Sequence, residues 1–133
     1  MIPLLTQMLF VLVVARYSKA MNTPSKGQFR WMIFKDKKVW IGVALEFNIT
    51  VVGDDPRVVE VELQEAVLGY IESAKKFARG IRPAQVQTIL NQKPDAAYEA
   101  QWRVARASMP KTGVPSPLSP SIYKFGIANL AAA

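Results

Sequence analysis

The chain has 133 residues, seventeen Lys and Arg against ten Asp and Glu, a net charge of +7, and no Cys or His. Those two absences exclude disulfides, thiolate and imidazole metal sites, Cys nucleophiles and Ser-His-Asp triads, and they remove the usual general base near neutral pH. Half of the residues are hydrophobic, enough for one packed domain, and the positive charge points to an acidic partner, nucleic acid before an anionic membrane.

The charge is unevenly placed. Residues 1–20 hold two bases and no acid, residues 21–74 hold six bases and eight acids, and residues 75–133 hold nine bases and two acids. The middle is mildly acidic and the basic excess lies at the ends.

Leu4 to Ala15 is nearly all apolar, broken by Thr6 and Gln7, and stops at Arg16. It is shorter than the roughly 20 residues of a membrane span. No base precedes it, as a secretory signal would require, although Ser18-Lys19-Ala20 fits a small-x-small cleavage pattern. Three readings stay open for residues 1–20: an upstream extension before a start at Met21, a signal, or a packing segment.

Phe29 to Phe34 is rich in strand formers, with Phe29, Trp31 and Ile33 alternating with Arg30, Met32 and Phe34. Lys35-Asp36-Lys37-Lys38 is a polar turn, and Val39 to Ala44 is a second strand-like run, so the pair reads as an antiparallel hairpin. Gly42 marks a bulge or a close backbone approach. Leu45-Glu46-Phe47-Asn48 leads to a short third strand, Ile49 to Val52. Trp31, Trp40 and Phe47 are expected in the core.

Gly53-Asp54-Asp55-Pro56 ends the strand and opens a helix, with Asp54 or Asp55 as N-cap and Pro56 at the first helical position. Val59, Leu63, Ala66, Val67, Tyr70, Ile71, Ala74 and Phe77 form its apolar face. Arg57, Glu60, Glu62, Glu65, Glu72, Lys75 and Lys76 form the other, acids first and bases last, which suits the helix dipole. Gly80 is the expected C-cap. Glu60, Glu62 and Glu65 invite comparison with a carboxylate-dependent nuclease. A solvated helix face explains them better, since no nucleophile, phosphate-cradling loop or second acidic cluster accompanies them. Hairpin, third strand and helix make a two-layer α+β unit.

The order strand, turn, strand, "LEFNITVVGDD", amphipathic helix resembles the HicB-like antitoxin family over roughly residues 28–77, carried by Leu45, Glu46, Phe47, Ile49, Gly53, Asp54, Glu65 and Ala66. The resemblance implies a partial RNase-H-like module without nuclease activity that binds and neutralises a small basic mRNA-cleaving toxin, HicA-like, often with a C-terminal segment that binds operator DNA. An acidic face attracts such a partner, and Glu46, Asp54, Glu62 and Glu65 are the expected partner-binding residues. Two departures stand out. Asp55-Pro56-Arg57 replaces the common Thr-x-x-Glu helix start, and no convincing DNA-binding motif follows, which leaves open an orphan member with no toxin.

Arg82 to Asn91 reads as a short helix opened by Pro83, and Pro94 to Ser108 as another with Tyr98, Trp102, Val104 and Ala105 as apolar marks. Together they imitate a helix-turn-helix, but without a third supporting helix. Met109 to Pro120 holds four prolines and reads as an extended arm. Tyr123, Phe125, Ile127 and Leu130 make the end oddly apolar. They dock back on the domain, pair with another subunit as a strand, or recognise a partner by strand addition. Lys75, Lys76, Arg79 and Arg82, with Arg103 and Arg106 further on, are the candidate nucleic-acid contacts.

The expected organisation is therefore an apolar leader and flexible segment over 1–27, a β-β-β-α domain over 28–80 with a sheet of three or more strands on one helix, a helical extension over 81–108, and a Pro-rich arm with an apolar end over 109–133. The expected function is a non-catalytic, cytoplasmic antitoxin or regulator. It needs no cofactor or small-molecule substrate and self-associates through exposed sheet edges. The alternative is a nucleic-acid-binding regulator that uses the basic C-terminal third.

Overall fold

A computed structural model describes residues 22–23, 26–80, 83–107 and 121–130. The leader over 1–20, the start at Met21, Arg82 and the proline-rich stretch 109–120 lie outside the described residues. The fold is α+β. Its strands are β1 (Gln28–Asp36), β2 (Val39–Ala44), β3 (Ile49–Gly53) and β4 (Ile122–Asn129), and its helices are α1 (Pro56–Arg79), α2 (Pro83–Leu90) and α3 (Ala96–Ala107). The strands form one antiparallel sheet in the order β3-β2-β1-β4.

β1 is a central strand, and both of its faces are covered. Phe29, Trp31 and Ile33 pack against Val59, Leu63, Val67, Ile71 and Ala74 of α1 and against Val86 and Leu90 of α2. Met32 and Phe34 point the other way, into a second core with Val43, Leu45, Ile122 and Phe125, closed by Trp102 and Ala105 of α3. The alternation read from the sequence holds, but the second face is not solvated. The molecule has three layers, helices on both faces of the sheet, instead of the expected two.

The divisions expected at residues 80 and 108 are not boundaries of packing. α2 completes the first core, α3 caps the second, and β4 pairs with β1 along its length, with Phe29 opposite Ala128 and Met32 opposite Phe125. A bulge between Ile33 and Phe34 makes Tyr123 the extra residue on β4. Its ring meets Trp40 edge-on at 6.2 Å. The apolar C-terminal run therefore docks back as a strand of the same sheet. The flexible segment expected before residue 28 is also pinned. Asn22 is buried, its Nδ2 donates to the Leu90 carbonyl at 2.9 Å, and its Oδ1 accepts from the Gln28 N–H at 2.8 Å.

Local devices set the angle of α1. The Asp55 side chain caps it by accepting the Arg57 N–H at 2.9 Å, Pro56 opens it, and the Gly80 N–H closes it on the Phe77 carbonyl at 3.0 Å. Gly42 is a point of close approach and not a bulge, since β2 keeps regular register with both neighbours. A Cβ there would sit 2.8 Å from Val59 Cγ1, so the missing side chain lets α1 lie flat on the sheet. Asn48, left-handed at φ 52°, turns the chain from the 3₁₀ turn Leu45–Phe47 into β3. Asparagine tolerates that conformation.

Candidate protein-docking face

The outward side of α1 is a ridge of free carboxylates. Glu62, Glu65 and Glu72 recur at three and seven residues, which places them on one helix face, and all three are exposed. None makes an ion pair among the described residues. Val58, one turn before Glu62, and Val61, one turn before Glu65, are large apolar residues left in solvent on the same side. Glu60, by contrast, turns toward the sheet and pairs with Lys124 of β4 at 3.2 Å. Asp54 is exposed at the helix entrance, beside the capping Asp55. The backbone N–H of Arg57, then its guanidinium, holds the Asp55 carboxyl below the ordinary carboxylate range.

Of the expected partner-binding residues, Glu62 and Glu65 thus share the outward face of α1, and Asp54 is exposed at the turn between β3 and α1. Glu46 does not face solvent. It is buried in the 3₁₀ turn, where its carboxylate accepts the Arg30 backbone N–H at 2.6 Å, Arg30 Nε at 2.9 Å and Arg30 Nη2 at 2.6 Å. Its place in the LEF segment serves the fold: it neutralises an arginine on the α3 side of the sheet and has no surface to offer a partner.

The nucleic-acid candidates are split. Lys75, Lys76 and Arg79 close α1 on one face of the sheet, while Arg103 and Arg106 stand exposed on α3 over the opposite face. Likewise α2 and α3 belong to different cores and do not build a helix-turn-helix. Among the described residues, no group of His, Cys, Asp and Glu is arranged to hold a metal ion, and no helix is long and apolar enough to cross a membrane.

Sequence reasoning missed the ionic cluster in the α3 core. Arg30 bridges Glu46 of the 3₁₀ turn and Glu99 of α3, with Nη1 2.6 Å from Glu99 Oε1, and lies over the Trp102 ring at 5.6 Å. Burial alone would lower its pKa, but hydrogen bonds and charge from Glu99 and Glu46 outweigh that and hold the guanidinium above its ordinary range. The available signal was an arginine on a strand face otherwise made of Met32 and Phe34. If that face is covered, such a residue needs carboxylates.

No family model, curated protein or solved structure matches the chain.

Proposed function

We propose that the chain is a non-catalytic binding protein of the HicB-like antitoxin kind, with a partial RNase-H-like module, which uses the outward face of α1 to hold and silence a small basic mRNA-cleaving protein in the cytoplasm. The observation that carries this reading is the row of unpaired carboxylates, Glu62, Glu65 and Glu72, next to exposed Val58 and Val61. A solvated helix face usually balances its acids with bases one turn away. Here Glu62 and Glu65 have no base three or four residues away on α1, and this part of the helix carries apolar area that a partner would bury. Unpaired charge at such a surface raises association rate and selects partners of opposite sign.

Co-purification and calorimetric titration with any small basic nuclease encoded beside this chain test the reading. Binding is expected to quench RNA cleavage. The triple reversal Glu62→Lys, Glu65→Lys, Glu72→Lys is expected to weaken binding by more than about tenfold, with helix content unchanged. Failure of the native chain to bind or silence that nuclease overturns the proposal. The nucleic-acid alternative draws on bases that stand on two opposite faces, so it lacks a single contiguous surface and is the weaker reading.

A further inference from the structure

Among the described residues the sheet has two unpaired edges, and they differ. β4 carries the Tyr123 bulge and Lys124, both of which discourage pairing with another strand. β3, Ile49-Thr50-Val51-Val52-Gly53, has no charge, no proline and no bulge.

The groups that β3 offers follow from the hydrogen-bond ladder. Leu130 N–H donates to the Gly27 carbonyl at 3.0 Å, and Lys35 N–H to the Ser121 carbonyl at 2.7 Å. Odd residues of β1 therefore face β4, and even ones face β2. The Arg30 N–H, directed at Glu46 and not at β4, agrees with this. Carried through the registers, the alternation commits Ile49, Val51 and Gly53 to β2. Thr50 and Val52 are left with their N–H and C=O groups directed at the empty edge. Both are exposed, Val52 to 55%.

Two charges flank this edge without ion-pair partners among the described residues. Asp54 follows β3, and Lys93 lies by its start, where the Lys93 carbonyl accepts Asn48 Nδ2 at 3.1 Å. The nearby Asp95 is occupied, capping α3 through the Ala97 N–H at 2.8 Å. A cleft of about 500 Å³ lined by Asn48, Thr50, Lys93, Asp95 and Tyr98 leaves room beside Lys93 for an incoming side chain.

We propose that β3 is the seam of a homodimer, in which a second copy adds its own β3 antiparallel about a two-fold axis through Val51. In that register Thr50 stands opposite Val52 of the second copy, and the reverse, so the outward groups of both residues pair. Asn48 stands opposite Asp54 of the second copy, which brings Asp54 next to the unpaired Lys93 of its neighbour, twice by symmetry. One register satisfies both the backbone and the charges. The row Glu62, Glu65 and Glu72 on α1 is not used, so the dimer does not rest on the toxin-binding reading and survives if that reading fails.

Sedimentation over the micromolar range is the test, on the native chain, Asp54→Lys, Lys93→Asp, the double reversal and Thr50→Pro. The native chain is expected to dimerise. Each single reversal is expected to weaken the dimer about tenfold by replacing two attractions with two repulsions, and the double reversal to restore it. Thr50→Pro removes an N–H that bonds nothing among the described residues and should leave a folded monomer by circular dichroism. A native monomer throughout that range, or a dimer indifferent to the single reversals, overturns the proposal whether or not Thr50→Pro folds.

Discussion

Arg30 is the most demanding residue in the molecule. Its side chain is 10% exposed, and the two carboxylates that neutralise it are unequal: Glu46 at 8% and Glu99 at 27%. Glu46 also satisfies the Arg30 backbone N–H. Removing it strands a guanidinium and a main-chain donor together. Removing Glu99 frees a position that water already reaches. Glu46→Ala should therefore cost about 3–5 kcal/mol of stability and Glu99→Ala about 1–3 kcal/mol, measured by urea unfolding. Equal losses would show that the 3₁₀ turn and α3 share the charge evenly. This cluster was the least legible part of the chain. Arg30 sits in a clean alternation, and Glu46 falls within a short segment between two strands, so each had a sufficient local explanation. Their pairing depends on α3 covering the second face of the sheet, and neither residue's neighbours in sequence encode that.

At the scale of elements, α1 was the most legible. An aspartate, a proline, apolar residues every three or four positions and a closing glycine specify it with local chemistry alone, and the structure uses Asp55, Pro56 and Gly80 in those roles. The cap is also a pH device. In the folded chain the bond from the Arg57 N–H holds the Asp55 carboxyl below its ordinary value of 3.8. A carboxyl lowered by folding stabilises the folded state above its unfolded pKa, and that contribution disappears as pH falls through the folded value. Asparagine keeps the accepting oxygen but cannot titrate. The thermal midpoint of the native chain should exceed that of Asp55→Asn at neutral pH, and the gap should close as the pH is brought below about 4. A gap that stays constant through this range would mean that the carboxylate charge does not contribute. The hairpin and β3 were legible for the same local reasons as α1. α3 was not: of its residues only Trp102 and Ala105 are buried, too few to distinguish a layer of the core from a helical appendage.

For the whole molecule, the decisive fact is that β4 arrives last in sequence and lies beside β1, near the start. An apolar run at the end of a chain tells that it will be buried; it does not tell which edge it will pair with, because register is a long-range property. That pairing is what turns 28–80 from a candidate domain into part of one. Without the residues after Gly80, β1 becomes an edge strand, Met32, Phe34, Val43 and Leu45 face water, and Arg30 and Glu46 lose the lid over their pair. The first core also loses Val86, Leu90, Ala128 and Leu130. A fragment ending at Gly80 should therefore show no cooperative unfolding, while the full chain should unfold in one step. The two cores have their own reporters. Trp31 lies in the α1 layer and Trp102 in the α3 layer. With Trp40→Phe as background, variants that keep only Trp31 or only Trp102 should give coincident fluorescence transitions, matching far-ultraviolet circular dichroism. If the Trp102 signal were lost first while Trp31 remained native, α3 and β4 would be a dispensable cover and the hairpin–helix unit would stand alone. The shared burial of β1, with one face in each core, makes the coincident outcome the expected one.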